Sequence, residues 1–463
     1  MATIPSEAQH ARSCDRDCLR GLIARERAAY VDAHPRSQEL FRQAVGTLLA
    51  GVPMSWMSML TGDYPMYFEG ARGNRITDVD GHTYIDFCLG DTGAMTGHSP
   101  QVVLDAIDAR LRGKGGITTM LPTEDAAYVG AELQRRFGLP YWQFSLTATD
   151  ANRWVLRMAR MVQKRPYVLV FSECYHGTVD ETIIVVGPDG TPISKPGNVG
   201  PQVDPTQTTR VVEFNDVEAL RAALAPRDVA AVLMEPWMTN IGIVPPEPGF
   251  LQAVRELCDE TGTLLINDET HTFSAGVGGA TRAFGLRPDV VTIGKAIASG
   301  VPMGAYGVTE ELAGRVLGDP DADLVDQGGV GGTLAGNALA SAAARATLEH
   351  VLTEENFLHM TTLARRYADG VQGVLDEYHV PWVVVQLGAR AEYRFTPVVP
   401  RTGNQSRAAH DADLEEYLHL YTLNHGIFMT PFHNMALMCP ATTRADVDRH
   451  TEVFAEAVGE LYR

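Results

Sequence analysis

Leu264-Leu-Ile-Asn-Asp-Glu-Thr-His271 and, farther on, Val290-Val-Thr-Ile-Gly-Lys-Ala-Ile-Ala-Ser-Gly300 decide how this chain is organised. Each opens on a short apolar run and then breaks into polar residues. Tyr167-Val-Leu-Val-Phe171 and Val229-Ala-Ala-Val-Leu-Met234 share that form, and helix-like segments separate the runs between residues 100 and 310. Apolar runs of this length without alternation read as strands buried on both faces, and helical crossovers make such a sheet mostly parallel. The fold class is therefore α/β. Ligands of such sheets bind beyond the carboxyl ends of the strands, so the polar residues after each run carry the functional reading.

Outward from this centre, residues 19–50 have the three-and-four spacing of amphipathic helix, with a break at His34-Pro35. Residues 66–88 read as short strands around the turn Asp78-Val-Asp-Gly81. Gly328-Gly-Val-Gly-Gly-Thr333 precedes an Ala-rich helix over 337–352, and Trp382-Val-Val-Val-Gln386 reads as a strand of a smaller α/β domain. The expected division is a helical arm at 1–65, a large domain at 66–337 and a small domain at 338–463 that the N-terminal segment joins.

The 463 residues suffice for two or three domains, and 45% hydrophobic with 21% charged residues is the composition of an ordinary globular protein. A formal net charge of −19 without any dense Lys/Arg block disfavours nucleic acid and anionic membrane as partners. A small anion held by local N–H groups is still compatible, because net charge is screened over about 8 Å. The six cysteines, at 14, 18, 88, 174, 258 and 439, form no Cys-x-x-Cys pair and no zinc spacing, so no metal site is expected. The first thirty residues lack the apolar stretch of a secretion signal, no run of 18 or more apolar residues is present, and a reducing cytoplasm is the expected compartment.

Four strand ends matter. Lys295 directly follows an apolar strand, where a partly desolvated amine can form a Schiff base; a lysine reaching from a strand end to solvent is the plainer reading of such a residue alone. It is not a phosphate-loop lysine, since Asp289 and Ala296 stand where that motif needs Gly and Ser or Thr. Asp268 ends the preceding strand, and a carboxylate at that depth calls for a cationic partner such as a protonated pyridine nitrogen, an arginine or a helix cap. Phe144-Ser-Leu-Thr-Ala-Thr-Asp-Ala-Asn152 leads into a helix, so Thr149 and Asp150 are expected where free N–H groups could hold a phosphate, or as an ordinary N-cap. Tyr175-His176-Gly177 follows the strand ending at Phe171 and can offer an aromatic face to a flat heterocycle, or pack in the core.

In this order, with Glu235-Pro between them, these segments resemble the class III aminotransferases of fold type I, nearest the branch of glutamate-1-semialdehyde aminomutase and the β-amino-acid aminotransferases. The likeness covers nearly the whole chain. It implies a mostly parallel seven-stranded sheet, pyridoxal 5'-phosphate as cofactor, Lys295 as its Schiff-base partner and Asp268 on the pyridine nitrogen. It further implies Tyr175 and Thr270 on the two ring faces, Asn240 at the phenolic oxygen, and Ala148 and Thr149 at the phosphate. His176 belongs to the same cofactor-binding set. Thr333 would reach the phosphate of a neighbouring subunit, which makes a homodimer.

The departures bear on substrate. Relatives carry Ser-Gly-Thr-Glu where this chain has Thr147-Ala-Thr-Asp150, and Val with a nearby arginine where this chain has Thr270-His-Thr-Phe-Ser274. Ala50-Gly-Val-Pro-Met-Ser-Trp-Met57 and Met429-Thr-Pro-Phe-His-Asn-Met-Ala-Leu-Met438 both lack the arginine that clamps a substrate carboxylate in relatives. Trp56, Met54 and Met57 would form an apolar wall, or simply pack; His271 is a further substrate candidate. Arg394 or Arg390 is the substitute arginine, the competing reading being a surface strand position. The expected reaction is ping-pong transfer of an amino group from an amine or amino acid to a keto acid. An aminomutase, a racemase and a non-catalytic binding protein of the same fold are the alternatives; a nicotinamide dehydrogenase lacks its full glycine spacing around Gly276-Val-Gly-Gly279.

Overall fold

The computed structural model describes residues 14–59, 62–320 and 330–462, and the chain divides into two compact units. Residues 328 and 329 of the glycine-rich segment lie outside the described residues. The larger unit comprises Thr92–Leu358 and Pro400–Ala408. Its centre is a seven-stranded sheet: β1 (Tyr141–Ser145), β2 (Tyr167–Phe171), β3 (Thr209–Val212), β4 (Val229–Met234), β5 (Leu264–Asp268), β6 (Val290–Ile293) and β7 (Gly304–Val308), in the order β1-β7-β6-β5-β4-β2-β3. All neighbours pair in parallel except β7, which is antiparallel to both β6 and β1.

The apolar runs are continuous because each face of the sheet has its own core. Val168 and Val170 of β2 and Ala231 and Leu233 of β4 join Trp154, Val155 and Met158 of the helix Ala148–Gln163. Their alternates, Leu169, Phe171, Val232 and Met234, pack with Phe214, Phe250, Val254 and Leu257 on the other face. Full burial of such a side chain contributes about 1.5–3 kcal/mol. Register then positions the polar ends: Asp268 pairs with Thr292, so the last residue of β5 and the segment after β6 emerge at one edge of the sheet.

The smaller unit comprises residues 1–91, 359–399 and 409–463. Its helix Arg16–Ala33 packs on Ala412–Asn424, tied by Asn424 Nδ2 to Glu26 Oε2 at 2.7 Å. The expected break at His34-Pro35 is present, with Pro35 opening the next helix, Pro35–Ala44. Strands Phe68–Arg72, Arg75–Asp78 and Thr83–Asp86 form the expected small sheet, extended by Ile427–Phe428. That pairing moves the division of the units to Asp91, away from residue 65. Likewise the helix Ala338–Ala346 lies against Glu124–Phe137 within the larger unit, so the second division falls at Leu358, not 337. No helix among the described residues is long and apolar enough to cross a membrane.

Candidate active site

Lys295 begins a 3-10 turn, Lys295–Ala298, two residues beyond β6. Its φ of 51° is left-handed. Gly294 before it allows a close approach: a Cβ there would stand 3.1 Å from Ala148 N, so the lysine turn and the helix start at Ala148 lie at nearly backbone distance. The lysine Nζ is 3.0 Å from His271 Nε2, and His271 Nδ1 is 3.0 Å from Thr92 Oγ1. His271 and Thr92 are both buried.

Asp268, at the end of β5, is fully enclosed. Its Oδ2 accepts from His176 Nδ1 at 2.9 Å and Asn152 Nδ2 at 2.8 Å, and its Oδ1 accepts from the Thr270 amide at 3.0 Å. Burial opposes its ionisation, yet the hydrogen bonds and charge of His176, with Thr270 and Asn152, outweigh this and hold the carboxyl below its ordinary range. The carboxylate is thus the charged form. Neighbouring Glu235 and Glu269 go the other way, their pKa values raised by burial.

Glu269 anchors the loop that follows β5. It accepts from Thr272 Oγ1 and from the amides of Ala280 at 2.9 Å and Thr281 at 2.6 Å. Buried Arg136 adds a bond to Val277 O at 3.2 Å. The segment 270–281 is therefore held through its backbone by Glu269 and Arg136.

The helix Ala148–Gln163 is capped by Thr147, whose Oγ1 accepts from the Asp150 amide at 3.2 Å. This corrects the expectation for Asp150: its N–H is spent on the cap. The N–H groups of Ala148 and Thr149 are the ones that open at the helix start. Thr149 Oγ1 accepts from the Thr178 amide at 3.2 Å, and a Cβ on Gly177, whose φ is 77°, would lie 2.0 Å from that hydroxyl. Glycine is required to bring Tyr175-His176-Gly177 onto the helix N-terminus.

Tyr175 is half-buried, with its amide 3.4 Å from Glu235 Oε1. His176 is 1% exposed and its Nε2 has no hydrogen-bond partner. The loop that carries both starts at buried Glu173, φ 69°, paired with Lys195 at 2.8 Å and with Arg407. Thr270 is buried beside Asp268, and Asn240 lies in a tight loop bridged through Met238 and Val244.

The larger unit thus brings together Lys295, Asp268, His176, Thr270 and His271, and joins Thr149 to the Tyr175 loop. Thr333 is exposed and lines a different cleft of about 440 Å³, with Met120, Leu121 and Trp142. In the smaller unit, Met54 and Trp56 are half-exposed, and Trp56 packs on Phe432 with ring centroids 4.7 Å apart. Arg390 and Arg394 are buried, not surface residues; Arg394 stands 3.6 Å from Glu392, which also faces His433. Two residues of the site escaped the sequence reading. Asn152 donates to Asp268 and accepts from Thr292 Oγ1 at 2.6 Å; its signal was its place one turn beyond the capped helix start. Thr92 carried no local signal.

Comparison with known proteins gives a consistent family. The family model described as aminotransferase class-III matches residues 59–458. A solved structure of a glutamate-1-semialdehyde aminomutase variant from Pseudomonas aeruginosa PAO1, in complex with PMP, is 45% identical with a TM-score of 0.94, covering 97% of this chain and 100% of that one. Glutamate-1-semialdehyde 2,1-aminomutase of Methanopyrus kandleri is 32% identical over 93% of this chain and 99% of its own. An omega-transaminase from Sphaerobacter thermophilus is 27% identical with a TM-score of 0.84, covering 92% and 97%.

Proposed function

The chain belongs to the class III aminotransferase family, and from that premise we propose that it is a pyridoxal-phosphate enzyme of the aminomutase type, moving an amino group between carbons of one substrate. The observation that carries the cofactor assignment is the surround of Asp268. A carboxylate has about four lone-pair positions; three are taken by His176, Asn152 and Thr270, which leaves room for one protonated ring nitrogen. The partnerless His176 Nε2 and the Gly177 approach to Thr149 fit a flat, phosphorylated heterocycle in the same place.

When bound, the cofactor withdraws electrons from the carbon bearing the amine, so that a proton there becomes removable. Asp268 would hold the pyridine nitrogen protonated through its charge. The N–H groups of Ala148 and Thr149 would bind the phosphate, helped by the helix dipole. Tyr175, Thr270 and Asn240 would hold the ring. Lys295 Nζ would anchor the cofactor and would take and return the proton of the substrate carbon. Thr333 would serve the phosphate site of a second copy in a homodimer.

The mutase reading is supported by the names of the relatives at 45% and 32% identity. One observation favours a second reading, the intermolecular aminotransferase: neither Ala50–Met57 nor Met429–Met438 contains an arginine, and Arg394 is engaged with Glu392, so an amine lacking a nearby carboxylate suits the chain. Turnover of glutamate-1-semialdehyde and of simple amines, with and without a keto acid, separates the two. A mutase forms product without any acceptor, and an absolute keto-acid requirement supports the second reading. Lys295→Ala should abolish turnover and the protein-bound visible absorption; near-wild-type activity would sink both.

A further inference from the structure

We infer that His271 and Thr92 form a positioning pair for the Lys295 amine, holding its Nζ in one direction. The inference rests on the reading of Lys295 as the residue that holds and moves a proton, and gives that residue a partner. An ammonium has donors and no acceptor, so at 3.0 Å from Nζ the Nε2 of His271 must present its lone pair when Lys295 is charged. The imidazole then carries its proton on Nδ1 and donates to Thr92 Oγ1, 3.0 Å away. When Lys295 is a free amine, the opposite tautomer fits the same atoms: Nε2–H donates to the amine lone pair, and the Thr92 hydroxyl donates to Nδ1. A hydroxyl is the group that serves both states, because it both donates and accepts.

The backbone indicates that this arrangement is imposed. Thr92, a β-branched residue, is held at φ 81°, and Lys295 at φ 51°. Left-handed conformations are costly for such residues and persist where the surroundings fix them. Thr92 and His271 are 179 positions apart in sequence, and His271 belongs to the loop anchored by Glu269. Because the chain of two hydrogen bonds is available in both protonation states, Nζ keeps the same direction whether it carries the extra proton or not.

The test uses the full-length chain stripped of cofactor, so that labelling reports Nζ itself. Amine-directed labelling of Lys295 is followed over time by peptide mass spectrometry at one fixed pH, for the wild type, His271→Leu, His271→Gln and Thr92→Val. Loss of the partner should speed labelling about tenfold in His271→Leu. His271→Gln, whose amide oxygen can take the place of Nε2, should bring the rate most of the way back, and Thr92→Val should lie between. If His271→Leu does not fold, His271→Asn, too short to reach Nζ, replaces it. An unchanged or slower rate in the variant overturns the inference. The measurement needs no bound cofactor, so a chain that never acquires visible absorption with pyridoxal phosphate would refute the proposed function while the labelling rate still decides the pairing.

Discussion

Asn152 joins two strands at the functional edge of the sheet: its Nδ2 donates to Asp268 Oδ2 at 2.8 Å while its Oδ1 accepts from Thr292 Oγ1 at 2.6 Å. The same Nδ2 also lies 3.1 Å from His176 O. One amide therefore fixes the carboxylate on β5, the hydroxyl on β6 and the loop bearing Tyr175. Replacing it by alanine removes a hydrogen bond to a charged group, about 1.5–3 kcal/mol. Asn152→Ala should weaken pyridoxal-phosphate binding roughly 10- to 100-fold in an equilibrium titration of the stripped protein. Unaltered affinity would show that Asp268 is oriented without it.

Gly177 should not tolerate a side chain. With φ 77° and a Cβ position 2.0 Å from Thr149 Oγ1, alanine must push the Tyr175 loop off the helix start. Gly177→Ala should cost about 1–3 kcal/mol in urea unfolding and weaken phosphate-dependent binding more than that of unphosphorylated pyridoxal. Equal losses for both ligands would mean that the approach shapes the loop and not the phosphate site.

Arg407 should stabilise the loop from below. Glu173 is buried, and burial alone would raise its pKa; Arg407 and Lys195 reverse this and hold it lowered. Since Lys195 remains in Arg407→Ala and Arg407 is itself half-exposed, the loss should be about 1–2 kcal/mol, between the values for surface and buried pairs. The group whose folded pKa is depressed loses its contribution as pH falls, so the variant and the wild type should converge in stability at acid pH. A gap that stays constant down to the acid limit argues against the ion pair.

His450 should make the chain acid-sensitive. It is buried among Tyr367, Phe87 and Phe454, and burial pushes its pKa down to about 3. The unfolded chain binds a proton near 6.5. Stability from keeping this ring neutral is complete above that value and is lost as pH falls from about 6.5 toward 3, roughly 2–4 kcal/mol by pH 4. His450→Leu should flatten that part of the stability profile in chemical denaturation; an identical slope would assign the acid sensitivity to other groups.

The strands β2 and β4 were legible residue for residue, since apolar runs buried on both faces need no tertiary information to be seen. Lys295, Asp268 and His176 were legible because each stands at the end of an apolar strand or within five residues of it. What joins them was less visible. Asn152 sits 116 residues from Asp268, and Thr92 lies 179 from His271, so their bonds depend on the order in which strands assemble. Arg394 reads as exposed from a strand of alternating polarity, but Glu392 on the same strand provides a buried anion for it. The antiparallel insertion of β7 between β6 and β1 likewise has no mark in its own residues.

The larger unit draws Pro400–Ala408 from far along the chain, and this short return supplies Arg407 to Glu173 and Asn404 to Val186 O at 3.0 Å. During synthesis from the N-terminus, every strand of the central sheet leaves the ribosome well before these residues exist. The nascent large unit therefore waits with a buried carboxylate short of one partner, and its ligand-facing loop becomes fully braced only near the end of translation. A fragment stopping at Leu358 would keep Lys295 and Asp268 yet remain in that unfinished state.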